Sequence, residues 1–207
     1  MTAWWRRNRR WLALIVPLLL LALAASSFRL VTLYLPWEWS RPTVADATAG
    51  TLRQHFTGFD GERRLREVRV EVVDVETHES YAEAKAADGG VLWRVVLELE
   101  ADPEQYLDGC EVELTDADGT RYDFRSGQVP AEEGAYFVPP ILVPCVPEDA
   151  PGPTLNPLTG EPSPSPVTRP RAWREQVLIA MPRDVTPTAL RIGWSRPEYL
   201  VLRLPVT

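Results

Sequence analysis

Residues 91–100 read VLWRVVLELE and decide the fold of this chain. Apolar side chains occupy every second position of the stretch, and mainly charged side chains lie between them. A period of two is that of a β-strand, whose successive side chains point to opposite faces. The stretch therefore predicts a strand with one buried face, formed by Trp93, Val95, Leu97 and Leu99.

Similar alternation is found on both sides of this strand. Within 66–76, the valines first alternate in one phase and, from Val73, in the other, which one extra residue in a β-bulge near Val72 would explain. Asp118-Gly119 lies between two alternating runs and is a strong hairpin signal. Further strands are predicted over 135–138, 141–143, 177–181, 190–194 and 200–204.

These short strands and their turn signals are typical of a β-sandwich. We predict an all-β fold, a single antiparallel immunoglobulin-like sandwich over 65–207, although a closed barrel would show the same periodicity. A proline-rich insertion is predicted over 144–170, because residues 139–170 hold 11 of the 20 prolines and such segments remain solvated. The polar residues 36–64 predict a stalk, with a short strand near 55–59.

The stretch 11–27, WLALIVPLLLLALAASS, contains no charged residue. A membrane-spanning helix needs roughly 20 apolar residues, and apolar character resumes beyond Arg29. We predict a transmembrane signal-anchor helix over 11–35, preceded by a basic cytoplasmic tail over 1–10. The alternative is a secretory signal that is cleaved near the small residues 22–24.

Charge predicts the direction of insertion. Arginines precede the apolar segment and every acidic residue follows it, and positive residues favour the cytoplasmic side. The N-terminus is therefore expected in the cytoplasm and the C-terminal domain outside a cell membrane that the chain crosses once. The membrane-flanking residues are Arg6, Arg7, Arg9, Arg10 and Arg29.

The rest of the chain is acidic. Without those five arginines, 17 Lys+Arg stand against 29 Asp+Glu, a balance of −12. This charge argues against nucleic acid and anionic lipid head groups as partners. The expected partners are the membrane, through the N-terminal helix, and a protein or cell-envelope component.

Two cysteines, Cys110 and Cys145, follow the predicted anchor. In an oxidising compartment two such thiols usually pair, so we predict a disulfide between them; two buried free thiols are the alternative. Such a bridge would stabilise the domain by about 3–4 kcal/mol in the chain-entropy model.

No catalytic or metal-binding pattern is found in the sequence. His55 and His78 share no ligand spacing with each other or with the cysteines. Asp116 and Asp118 resemble the beginning of a calcium loop, but Gly127 stands at the twelfth position, where such a loop needs a bidentate acid. We therefore predict no enzymatic activity, no catalytic residue, no metal and no cofactor.

The order of these elements carries a family resemblance. A "V.V..V.V" strand, a "W.V.LE.." strand, an "L.D.DG..Y.F" hairpin and a late "VL.A.P....P..L.I" stretch resemble the telokin-like, immunoglobulin-like domains of uncharacterised, membrane-anchored proteins of Gram-positive bacteria, actinobacterial ones included. The matching stretches are Val68–Val75, Val91–Glu98, Leu114–Phe124 and Val177–Ile192. The chain departs from the pattern by lacking a lipid-attachment cysteine and by carrying the proline-rich insertion. The resemblance implies an extracytoplasmic immunoglobulin-like sandwich and no general catalytic residues.

The expected function is that of a membrane-anchored, extracytoplasmic domain that binds a protein or a cell-envelope component. The alternative is an accessory subunit of a transport or secretion complex, or a cell-envelope enzyme whose site has no sequence signature.

Overall fold

A computed structural model describes residues 2–34, 38–58, 60–107, 109–132, 134–135, 145–156, 159 and 161–205. Helix α1 (Thr2–Arg29) continues into a π-helical turn, Leu30–Tyr34. The part from Arg7 to Thr32 is long and apolar enough to cross a membrane, a property that signal sequences share, and it is not buried against the rest of the chain. Helix α1 already includes most of the predicted basic tail.

The described residues after this helix form strands joined by turns and loops. The strands are β1 (Arg41–Val44), β2 (Ala49–Thr57), β3 (Arg63–His78), β4 (Ser80–Tyr81), β5 (Ala84–Ala86), β6 (Gly90–Ala101), β7 (Glu111–Thr115), β8 (Arg121–Asp123), β9 (Gln128–Pro130), β10 (Thr154–Leu155), β11 (Pro162–Ser163), β12 (Ala172–Pro182), β13 (Ala189–Gly193) and β14 (Glu198–Arg203).

Two large sheets make up most of the domain. One has the strand order β12-β6-β3-β2, and the other has the order β1-β14-β13-β7-β8. Two small sheets, β4-β5-β9 and β10-β11, lie in the connections. All described pairings are antiparallel except that of β1 with β14, which is parallel. The all-β prediction is confirmed.

Strand β6 is central to the four-stranded sheet. It pairs with β12 from Gly90 to Glu100 and with β3 from Leu92 to Ala101. Its inward side chains are buried with those of β7, β13 and β14 in one hydrophobic cluster, so both large sheets share one core. The buried members from the facing sheet are Val112, Leu114, Leu190, Ile192, Leu200 and Leu202. The alternation predicted for 91–100 is thus confirmed.

The change of phase in β3 is a β-bulge. The register with β6 shifts between Val72 and Asp74, and Val73 is exposed. Val70 and Val72 point inward before the bulge, and Val75 packs against the core after it. The predicted bulge is confirmed at the predicted place.

The segment 36–64, which was predicted as a stalk, contains two paired strands instead. Strand β1 extends the five-stranded sheet and β2 extends the four-stranded sheet. Leu52 and Gln54 are buried on the inward face of β2, whereas the intervening residues are polar and exposed, which hides the strand in the sequence. The stalk prediction is therefore wrong over 41–54, and the short strand predicted near 55–59 overlaps the end of β2 at 55–57.

The cysteines are joined, as predicted. Cys110 and Cys145 form a disulfide with a Cα–Cα distance of 5.7 Å, and both are buried. The indole Nε1 of Trp173 donates to the Cys145 carbonyl at 3.2 Å. The start of the proline-rich segment is thereby fixed to β7 and β12. The predicted strands over 135–138 and 141–143 lie, except for Ala135, outside the described residues.

Replacing Trp93 with Ala should destabilise the domain by about 3–5 kcal/mol, because a large buried side chain is removed from the core. Denaturant unfolding of the full chain in detergent would measure this, and Leu65→Ala, at a half-exposed position of β3, is the control. An unchanged midpoint for Trp93→Ala would place the indole outside the core.

Candidate functional site

An open groove of about 680 Å³ lies beside the edge strand β8. One wall is β8 with Glu113 of β7, and the other consists of the β5–β6 turn and the end of β12. Glu38 and Arg196 complete the lining. These parts are far apart in the sequence, so no local motif marks the groove.

The β7–β8 hairpin depends on Asp116. Its Oδ1 accepts the backbone N–H groups of Asp118 and Thr120 at 3.0 and 2.8 Å, and its Oδ2 accepts the Tyr122 hydroxyl at 3.1 Å. Gly119 has a φ of +82°, which favours glycine. Desolvation raises the pKa of Asp116, but these hydrogen bonds outweigh it and the pKa lies below its usual value. Both carboxylate oxygens are thus engaged in the turn.

Two ion pairs border the groove. Arg191 Nη1 donates to Glu113 Oε2 at 2.9 Å, and Arg196 Nη2 donates to Glu111 Oε2 at 2.7 Å. Desolvation raises the pKa of Glu113 although Arg191 opposes the shift. The pKa of Asp123 shifts in the opposite direction. Burial raises it, but hydrogen bonds from Ser126 and Arg125 outweigh burial and bring it below its usual value.

Three further charged residues of the groove are exposed. Glu38, Asp88 and Arg121 form no hydrogen bond or ion pair with any residue that the structure describes. A ligand could therefore engage them without breaking a hydrogen bond or ion pair to a described residue, although Arg121 also acts on Glu113 at longer range. Two of the three are acidic.

An aromatic stack connects the groove to the segment after the helix. The rings of Trp39 and Tyr199 are stacked with centroids 5.3 Å apart. The Arg191 guanidinium lies 4.3 Å from the Tyr199 centroid and 5.1 Å from that of Trp39. Arg191 also binds Glu113. It therefore contacts both the groove wall and Trp39, which lies in the linker, the segment 38–40 between the helix and β1.

A second polar cluster lies on the outer face of the four-stranded sheet. Arg94 Nη2 contacts Asp74 at 2.9 Å and Glu76 at 2.6 Å. His78 Nε2 is 3.3 Å from Glu76 Oε2, and its ring meets Tyr81 edge-on. Arg94, Asp74 and Glu76 thus neutralise one another as paired surface charges, with His78 and Tyr81 beside them. His55 is exposed on β2.

Sequence reasoning missed two buried arginines. Arg66 donates to the Tyr106 carbonyl, to Gln54 Oε1 and to Ser195 Oγ at 3.0–3.1 Å. Arg169 donates to the carbonyls of Pro151, Asp102 and Gln105 at 2.8–3.0 Å. Their acceptors are mostly backbone carbonyls distant in sequence, which leave no pattern to find. Both arginines tie loops to the domain.

Of the predicted membrane-flanking residues, Arg7, Arg9 and Arg29 are exposed on α1. Arg6 and Arg10 lie in the same helix. Within the described ranges, no group of three His, Cys, Asp or Glu side chains is placed to hold a metal ion.

Glu175 is an inward-facing carboxylate on β12. It lies between the buried residues Trp173 and Val177 on the same face and pairs with Leu97 of β6. Desolvation raises its pKa from the ordinary 4.5 to about 7. Among the described residues no cation is paired with Glu175, and an inward carboxylate of this kind is costly, a cost that protonation relieves.

Comparison with known proteins identifies no family. No family model and no curated protein matches the sequence. Among solved structures, the chain is similar to an uncharacterised β-sandwich protein from Clostridium difficile 630, with a TM-score of 0.36 and 12% identity over 81% of this chain and 97% of that one. A likeness at this level supports no conclusion about function.

Glu175 should make stability depend on pH. The folded chain binds a proton at Glu175 more tightly than the unfolded chain, so stability should fall as pH rises from 4.5 through about 7. Glu175→Gln should remove this slope and stabilise the domain at pH 8 by about 1–3 kcal/mol, discounted for partial exposure. Thermal unfolding between pH 4.5 and 8 would measure it, with the exposed Glu100→Gln as control. If the stability of Glu175→Gln fell with rising pH as steeply as that of the wild type, Glu175 would not be the group that causes the pH dependence.

Proposed function

We propose that this chain is a single-pass membrane protein with a cytoplasmic N-terminus and an extracytoplasmic, immunoglobulin-like β-sandwich that binds a protein or cell-envelope partner. The observation that carries the proposal is the groove beside β8, whose lining includes exposed charges that form no ion pair with a described residue. The apolar helix behind a cluster of arginines supports the orientation. The disulfide supports an oxidising compartment.

The connection between helix and domain supports a location close to the membrane. Four peptide steps separate Tyr34, the last residue of the π-helical turn, from Glu38 in the groove lining. Such a connection spans at most about 14 Å when fully extended. Trp39 then packs on the five-stranded sheet, so a membrane-spanning helix would hold the groove near the lipid surface.

A second candidate is a cell-envelope enzyme that uses Glu113 and Asp123. These carboxylates are paired across β7 and β8, and their pKa values shift in opposite directions, as in an acid–base pair. Glu113 is already bound by Arg191, however, and Asp123 by its own turn. The binding role therefore has the stronger support.

Photo-crosslinking from the groove tests the binding role. The full chain would carry p-benzoylphenylalanine at Ser126, an exposed groove residue, or at Thr51, an exposed residue on the outer face of β2. Irradiation of intact cells should give a discrete higher-mass adduct from position 126 and none from position 51. Equal labelling from both positions, or none from either, would contradict a groove-specific partner.

A further inference from the structure

We propose that the groove binds an extended, basic polypeptide segment of a membrane-associated partner protein, which adds to β8 as an extra strand. This inference rests on the proposed binding function and names the chemistry of the partner. It is carried by three features of the groove: β8 backbone groups that no described residue binds, the open Gly89 opposite them, and the net charge of the side chains that form no ion pair with a described residue.

The pairing register shows which backbone groups of β8 are free. Asp116 N–H donates to the Thr120 carbonyl, so these two residues form a hydrogen-bonded pair. Such pairs alternate along an antiparallel ladder, which makes Leu114–Tyr122 the next one. The N–H and C=O groups of Arg121 and Asp123, two residues of the groove lining, therefore point away from β7, and no residue that the structure describes is hydrogen-bonded to them. An edge that presents these groups is a template for another strand.

The opposite wall has one position that is open to a close approach. Gly89 occupies the turn before β6 with a φ of +82°, and no described atom lies within 4 Å of the place where its Cβ would be. Gly90 and Gly127 also line the groove, but a Cβ on either would meet neighbouring residues of this chain at 3.0–3.1 Å. Gly89 therefore leaves space for an extended chain at this point of the wall.

The unpaired charge of the groove selects the side chains of the segment. Glu113 is bound by Arg191, and Arg196 binds Glu111. Three exposed lining residues form no ion pair with a described residue: the acids Glu38 and Asp88 and the base Arg121. Their summed charge is therefore negative. The rest of the chain, without the five membrane-flanking arginines, carries a net charge of −12, which repels acidic ligands at long range. Lysine or arginine side chains alternating along the segment would meet both acids.

Peptide binding to the full-length protein in nanodiscs of phosphatidylcholine tests this inference. The probes are fluorescein-labelled peptides: alternating Lys-Val, alternating Glu-Val, and the Lys-Val peptide with every second backbone nitrogen methylated. Fluorescence anisotropy should show saturable binding of the first peptide alone. Equal binding of the methylated peptide would overturn strand addition, and preferential binding of the Glu-Val peptide would overturn the predicted basic character.

Exposed charges provide matched variants that should fold normally. Glu38→Gln with Asp88→Asn should weaken binding of the Lys-Val peptide by about 2- to 30-fold, the range expected for two surface ion pairs. Arg121→Gln should strengthen it. The control is Glu83→Gln with Glu100→Gln, two exposed acids outside the groove lining. Equal weakening by the control pair would show a non-specific charge effect and overturn the site.

The two proposals fail in different ways. If position 126 crosslinks to a partner in cells but the Lys-Val peptide does not bind, the binding function stands and the basic, extended ligand is wrong. If the adduct from position 126 is a dimer of this chain, and light scattering shows a dimer in nanodiscs, the occupant of the groove is a second copy and this inference is overturned.

Discussion

The two-sided hydrogen-bond ladder of β6 is the constraint on which the rest of the domain depends. Pairing with β3 on one side and β12 on the other fixes its register, and the period of two then sends Val95, Leu97 and Leu99 into the core. A slip of one residue would turn these side chains to the surface and bring Arg94 and Glu98 inward. The β-bulge at Val73 keeps β3 in phase with β6 along its length.

The groove is a consequence of how the second large sheet ends. Strand β8 has only three residues, the chain leaves the sheet after Asp123, and no strand among the described residues pairs with the far side of β8. Arg191 then connects that edge to the linker: it binds Glu113 in the groove wall and lies against the rings of Tyr199 and Trp39. A ligand that engages Glu113 would therefore compete with a contact that also holds the linker.

Strong periodicity and turn chemistry were enough to predict the central strands, the bulge and the β7–β8 hairpin, and the presence of two cysteines after a predicted export segment was enough to predict the disulfide. Most of strand β2 was missed because Gln54, a polar residue, takes an inward position, where it accepts a hydrogen bond from Arg66 and donates one to the Ser195 carbonyl; only its end, at 55–57, lay within a predicted strand. The groove was missed because its lining comes from distant parts of the chain. Glu175 was not singled out, since one acid within a strand gives no sign of its direction until the register is known.

We propose that the membrane helix is retained and that the oxidised β-domain lies outside the cell. Intact-mass analysis of the protein recovered from membranes, alkylated with and without prior reduction, tests it most directly. We expect the full-length mass, no alkylation without reductant, and two alkylated thiols, Cys110 and Cys145, after reduction. A mass that begins near Ala25 would show a cleaved signal, and two thiols alkylated without reductant would contradict the extracytoplasmic location.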